Sequence, residues 1–121
     1  MAVSGGHGID EDAFGRLQAT LGASFPEFLA LFLTEGARHV ERMERAVHAD
    51  DLAAAGSAAH ALRPTSGLVG APGLQEACGR VEAACRTAAA AEVVAGVEDV
   101  RSAFEAASGW LRMRLPEEET P

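Results

Sequence analysis

Residues 72–88, PGLQEACGRVEAACRTA, carry the clearest helical pattern in the chain. Apolar or small residues recur every three or four positions, which places them on one face of an α-helix. Pro72 stands at the start, where a proline costs no hydrogen bond because the first N–H groups of a helix have no partner within it. The stretch therefore predicts an amphipathic helix, with a core face made of Leu74, Ala77, Cys78, Val81, Ala84, Cys85 and Ala88.

The same spacing continues in both directions and predicts four more helices, the first of them short. Their predicted ranges are about 10–22, 26–49, 51–70 and 93–115. Short connections between long amphipathic helices favour antiparallel neighbours. The predicted fold class is therefore all-α, an antiparallel up-down four-helix bundle with a short extra N-terminal helix.

The chain of 121 residues fits one domain. We expect a disordered Gly-rich leader at 1–9, the domain at 10–115 and an acidic tail at 116–121. The first residues lack the charged and apolar regions of a signal peptide, and no uninterrupted apolar run reaches the roughly 18 residues that span a membrane. These features predict a cytoplasmic protein.

A formal net charge of −8 disfavours nucleic acid and anionic membranes as partners, because both would repel the domain. The strongest basic stretch has Arg38, Arg42 and Arg45. Glutamates alternate with these arginines, so we expect a solvated helix face with ion pairs. The alternating glutamates are Glu35, Glu41 and Glu44. Cys78 and Cys85 lack the spacing of a metal or redox motif and are expected to be free thiols.

His60 is the residue that core packing does not explain. If Ala59, Leu62 and Ser66 of the third helix face the core, His60 lies about 120° away, toward solvent. Arg63 lies on the same side. An exposed neutral imidazole is a nucleophile, and a guanidinium suits phosphate oxygens, but this spacing alone fits an ordinary surface histidine as well.

A longer run around His60 carries a family resemblance. Residues 59–71, AHALRPTSGLVGA, continuing through Leu74, Cys78, Val81 and Glu82, resemble the signature of histidine phosphotransfer (HPt) domains. The resemblance implies a four-helix bundle that takes a phosphoryl group from a receiver-domain aspartate onto His60 and passes it to another receiver aspartate in a two-component phosphorelay. It implies a phosphoryl carrier without its own ATP site rather than an enzyme.

The resemblance also implies roles for other residues. Arg63 takes the place of the basic residue near the phosphoryl group. A receiver-docking surface is expected to include Gly56, Pro64, Gly67, Glu82 and Arg86. Glu82 and Arg86, one turn apart, could equally be a surface ion pair. The implied partners are response-regulator receiver domains and a hybrid histidine kinase, with Mg²⁺ bound by the receiver and no cofactor or metal on this chain.

Pro64 departs from the signature, which usually has glycine there. Proline cannot donate to the carbonyl of His60 and its ring crowds that carbonyl, so we expect a kink in the helix. Our hypothesis is that the kink frees the carbonyl and tilts the imidazole outward. The alternative is an altered site with slower transfer.

Two other functions compete with phosphotransfer. A helical bundle could dock a signalling partner without chemistry, although the His60-x-x-Arg63 pair argues against this. A metal-binding bundle would have to use His39, His48 and His60. His39 and His48 lie about 180° apart on one helix, so they cannot share an ion within one chain.

Overall fold

The computed structural model describes residues 6–115. Within that range the chain is helical, and the four long helices form the predicted bundle, in which α2, α3, α4 and α5 each pack against the next and α5 returns to α2. The short α1 packs across one end of α2 and α3. The helices are α1 (Glu11–Leu21), a 3₁₀ turn (Gly22–Ser24), α2 (Phe25–His48), α3 (Leu52–Leu68), α4 (Pro72–Arg86) and α5 (Ala90–Arg112).

The predicted apolar stripes form one core. On α2 the buried side chains include Leu29, Phe32, Val40 and Met43, which recur at helical spacing. Gly36 lies on the same face, directly opposite the Phe104 ring of α5, and a Cβ there would overlap that ring. The absence of a side chain at Gly36 therefore allows α2 and α5 to approach closely.

Carboxylates cap the N-termini of two of the helices. Asp10 Oδ1 accepts from the backbone N–H groups of Asp12 and Ala13 at 3.1 and 3.2 Å. Asp51 Oδ1 accepts from the N–H of Ala54 at 3.0 Å at the start of α3. Each carboxylate satisfies N–H groups that have no partner within the helix.

The ordered domain begins before residue 10, which corrects part of the predicted leader. Ile9 is fully buried, and the ring of His7 lies 5.1 Å from that of Trp110. The N–H of Asp10 donates to the carbonyl of Gly70 at 2.7 Å. Gly70 has a φ of +88°, and a Cβ there would lie 2.8 Å from the Asp10 carbonyl oxygen, so glycine alone permits this contact. Residues 1–5 and the predicted tail at 116–121 lie outside the described residues.

The α4 helix ends two residues earlier than its apolar pattern suggested. Ala88, predicted on the core face, is exposed and has a left-handed φ of +55°. The N–H of Ala89 donates to the carbonyl of Ala84 at 3.0 Å. This closes the helix end and turns the chain into α5.

One helical run, Glu11–His48, contains a window that is long and apolar enough by composition to cross a membrane. In that window 22 % of the residues are buried. The core helix of a helical bundle passes the same test. Phe25, Leu29 and Phe32 of this run are buried in the bundle, whereas Leu31 is exposed.

Candidate functional site

His60 projects from the middle of α3, as predicted. Ala59 and Leu62 on either side of it are fully buried, and they fix the rotation of the helix about its axis. The imidazole is 77 % exposed. Its position therefore follows directly from the apolar stripe on the opposite face of α3.

Glu82 of α4 contacts both polar side chains of this site. Its Oε2 lies 2.8 Å from His60 Nδ1, and its Oε1 accepts from Arg63 Nη1 at 3.0 Å. The Glu82 side chain is only 11 % exposed, whereas that of Arg63 is 51 % exposed. One largely buried carboxylate thus holds two exposed side chains of α3.

The charge on Glu82 decides which nitrogen of the His60 ring carries a proton. Burial by itself raises the pKa of Glu82, but hydrogen bonds and charge from His60 and Arg63 outweigh burial and lower the pKa overall. An ionised carboxylate only accepts hydrogen bonds, so Nδ1 is the ring nitrogen that carries a proton. In the neutral ring this leaves the lone pair on Nε2, the atom on the far side from Glu82.

Gly79, which was not among the predicted site residues, lies beneath the side chain of Arg63. A Cβ at Gly79 would lie 3.6 Å from Cζ of Arg63, an ordinary van der Waals distance. The guanidinium therefore passes over Gly79 on its way to Glu82, with space for a methyl group beneath it. A glycine three residues before Glu82, inside an otherwise strong helix, was the available sequence signal.

The docking residues predicted around His60 fall into two groups. Pro64 and Arg86 are exposed. Gly56 and Gly67 instead face α4, since a Cβ at Gly56 would lie 3.2 Å from Cβ of Cys85 and one at Gly67 would overlap the Gln75 side chain. Packing between α3 and α4 is thus sufficient to explain both glycines.

Glu82 and Arg86 do not form the surface ion pair that was the alternative prediction. Within residues 6–115, the ion pairs of Glu82 are with His60 and Arg63. The difference is one of burial, because the Glu82 carboxylate is turned into the seam between α3 and α4, while Arg86 is exposed.

The α3 helix continues through Pro64 to Leu68. Because proline has no N–H, the His60 carbonyl receives no hydrogen bond from position 64. One turn later, Ser66 Oγ donates to the Leu62 carbonyl at 2.8 Å. Pro64 thus leaves an acceptor without its usual helical donor at the residue that carries the imidazole.

The arginines of α2 do not all form the ion pairs that the sequence predicted. Arg38 pairs with Glu35 at 2.9 Å. Arg42 Nη1 instead lies 3.1 Å from Nδ1 of His39, and Arg45 has no carboxylate partner among residues 6–115. The alternation of charges along the sequence did not predict which of them pair, because it does not fix side-chain direction.

Both cysteines are free thiols, as predicted. Burial, with a contribution from Glu82 that is partly offset by Arg63, raises the pKa of Cys78 to about 12. Within residues 6–115, no group of three or more His, Cys, Asp or Glu side chains is arranged to hold a metal ion.

Comparisons with known proteins agree with this architecture. The family model described as the Hpt domain matches residues 27–110. The crystal structure of histidine-containing phosphotransfer protein B from Pseudomonas aeruginosa is similar, with a TM-score of 0.83 and 21 % identity over 88 % of this chain and 92 % of that one.

A rice protein assigned to the same phosphotransfer class has a TM-score of 0.78 and 20 % identity, over 90 % of this chain and 82 % of its own. A search of curated protein sequences found no match. The structural matches establish the shared bundle fold, and the family model covers more than half of the chain. The chain therefore belongs to the Hpt family, the histidine-containing phosphotransfer domains that carry phosphoryl groups in phosphorelays.

Proposed function

We propose that His60 is the phospho-acceptor and that Nε2 is the atom that carries the phosphoryl group. The observation that carries this assignment is the 2.8 Å contact between His60 Nδ1 and Glu82 Oε2. It supports a ring whose proton is on Nδ1 and whose lone pair is on Nε2. The 77 % exposure of the side chain allows a partner to reach that lone pair.

The transfer needs no proton to leave the ring. The Nε2 lone pair attacks the phosphorus of an aspartyl phosphate, the P–O bond to the aspartate breaks, and the carboxylate leaves with the electron pair. The ring becomes a phospho-imidazolium with its proton still on Nδ1. The Glu82 carboxylate stabilises that positive charge, and attack by a second aspartate reverses each step.

Arg63 is the second residue that we assign to phosphoryl transfer. Its Nη1 donates to Glu82, and a guanidinium has five N–H donors, so further donors remain for phosphoryl oxygens. Because Glu82 holds the side chain, less conformational entropy is lost when it binds the phosphoryl group. Arg63 would thus act as a preorganised donor beside His60.

We infer that receiver domains are the partners, docking on the exposed face of α3 around His60. Pro64 belongs to this face, as does Leu68, which is 55 % exposed. Leu31 of α2, 58 % exposed, lines a small hollow with Ala61 of α3. A hybrid histidine kinase could present such a receiver. These apolar side chains would lose contact with water when a receiver covers them.

We infer that the chain has no ATP site and binds no cofactor, and that Mg²⁺ is held by the receiver, where it would stabilise charge on the transferring group. We place the reaction in the cytoplasm. Arg86 and the exposed edges of Gly56 and Gly67 complete the proposed docking surface.

Incubation with a panel of phosphorylated receiver domains tests the assignment. We expect the wild-type domain to gain an acid-labile, base-stable phosphoryl group, and the His60→Gln variant to gain none. His48→Gln, on an exposed histidine of α2, is the matched control and should label like the wild type. Label that persists in His60→Gln would overturn the assignment, and labelling of neither protein by any receiver would favour a docking module without chemistry.

A further inference from the structure

A groove beside His60 runs between the C-terminal half of α2 and the first turns of α3. It encloses about 450 Å³. Arg42 and Arg45 line its α2 side, and small side chains line its α3 side. The α3 residues that line it are Ala54, Ser57, Ala58 and Ala61. We call this feature the arginine groove.

Two arginines, Arg42 and Arg45, and one carboxylate, Asp51, line the arginine groove. His39, the hydrogen-bond partner of Arg42, has a lowered pKa, first because of burial and then because of Arg42 itself, against an opposing effect of Glu35. A neutral His39 orients Arg42 without cancelling its charge. Arg45 has no carboxylate partner among the described residues.

Two carboxylates near the arginine groove make contacts with other groups. Asp51 lines one end, but its Oδ1 accepts from the N–H of Ala54 as the cap of α3. Glu44 points toward α5, where its Oε2 lies 3.8 Å from Arg101 Nε. The two arginines against the one carboxylate leave the lining of the groove with an excess of one positive charge, in a chain whose formal net charge is −8.

The arginine groove lies on the side of His60 that faces α2. Around the α3 axis, Ser57 and Ala61 are about 60° and 100° from His60, whereas Arg63 is about 60° away in the opposite direction, toward α4. A protein that covers the imidazole and extends toward α2 therefore lies over the groove. The small side chains on the α3 side permit close approach of that protein.

We propose that the arginine groove binds carboxylates on the docking face of the receiver domain, so that Arg42 and Arg45 select which receivers exchange phosphate with His60 and fix their orientation. This inference rests on the proposed phosphotransfer function. Acidic receivers would gain attraction at the rim of the contact, and receivers with basic residues there would be repelled. Arg42 and Arg45 would thus determine specificity without touching the phosphoryl group.

The test compares a double variant, Arg42→Glu/Arg45→Glu, with Arg80→Glu, a single reversal on the groove between α4 and α5. The probe is the receiver that transfers fastest to wild type in the panel above. We expect kcat/KM for transfer to fall about ten-fold or more in the double variant, chiefly through KM, and to change less than about two-fold in Arg80→Glu. The wild-type rate should also fall as salt is raised, and the double variant should lose that dependence.

Phosphoramidate, a small donor that needs no docking surface, separates this inference from the proposed function. It should phosphorylate the wild type and the double variant at equal rates. Replacing one receiver carboxylate at a time with lysine should identify a change that restores transfer to the double variant.

An unchanged kcat/KM in the double variant would overturn the inference and leave the function of His60 intact. A loss that no receiver substitution restores would also overturn it, because the groove would then serve another partner or the fold. No labelling of the wild type by phosphoramidate or by receivers would instead contradict the proposed function.

Discussion

Nδ1 of His60 and Oε2 of Glu82 lie 2.8 Å apart, although the two residues are 22 positions apart in the chain. The contact connects the exposed face of α3 with the buried edge of α4. It turns a solvent-exposed imidazole into one with a defined proton position, because only one ring nitrogen faces the carboxylate.

Replacing Glu82 with glutamine should slow phosphorylation of His60. The amide places an N–H donor where one of the two carboxylate oxygens now accepts, so one of the present contacts to His60 and Arg63 is lost in that geometry. The substitution also removes the charge that stabilises the phospho-imidazolium. A rate about ten-fold lower with phosphoramidate would correspond to roughly 1.4 kcal/mol, in the range for a hydrogen bond to a charged group. Glu76→Gln, at an exposed position of the same helix, is the control and should react like wild type. Equal rates for the two variants would contradict the role of Glu82.

Because of the Glu82 carboxylate, the stability of the fold should depend on pH in the acid range. Burial raises the pKa of Glu82 in the folded protein, but hydrogen bonds and charge from His60 and Arg63 outweigh burial, so that the pKa is lowered overall. Such a group stabilises the fold above its unfolded pKa of about 4.3, and the stabilisation is lost as pH falls through the folded pKa. In urea unfolding, the free energy of unfolding of wild type should exceed that of Glu82→Gln, and this difference should become smaller from about pH 6 to about pH 3. A difference that stays constant with pH would show that the charge of Glu82 does not contribute to stability.

Replacing Pro64 should stabilise α3 and slow transfer. In Pro64→Ala the new N–H can donate to the His60 carbonyl, and the helix-interior cost of proline is removed, which together should add about 1–3 kcal/mol to the free energy of unfolding. Thermal unfolding would detect this as a higher Tm. If the proline tilts the imidazole outward, Pro64→Gly should transfer phosphate more slowly than wild type, and an unchanged rate would contradict that hypothesis.

The two thiols should differ sharply in reactivity. Cys78 is fully buried, and burial first, then Glu82, raises its pKa to about 12. Cys85 is half-buried, with a pKa that burial also raises. With iodoacetamide at about pH 8, mass spectrometry of the native protein should show slow labelling of Cys85 and none of Cys78, because the thiolate is the reactive form. Equal labelling would mean that the seam between α3 and α4 opens. Both sites should react in denaturant.

Two glycines in long helices should respond oppositely to alanine. At Gly36 a methyl group would overlap the Phe104 ring, and that ring is buried in the core and has little room to move. Gly36→Ala should therefore destabilise the domain by about 1–3 kcal/mol. A Cβ added at Gly109 would have nothing within 4 Å, so Gly109→Ala should stabilise by roughly 0.5–1 kcal/mol. Chemical unfolding measures both, and stabilisation by both would show that α2 and α5 can separate.

The order of residues along the chain was sufficient to predict the helices, the bundle and the exposure of His60. Apolar spacing at three and four residues fixes which side of each helix is buried, and the polar residues on the other side follow from geometry alone. The resemblance around His60 likewise identified the family to which the chain belongs. Capping by Asp10 and Asp51 depends only on residues within one turn, so it too is determined by the local sequence.

Contacts between distant side chains became known only from the folded bundle. The pairing of Glu82 with His60 and Arg63, rather than with Arg86, depends on how α4 is rotated and shifted against α3, which no spacing within one helix specifies. The same is true of Gly67, which fits beside Gln75, and of Ile9, which is fully buried next to Asp10, the residue whose N–H donates to the Gly70 carbonyl. Periodicity along one helix determines which of its side chains face the core, but contacts between helices depend on packing of the whole core.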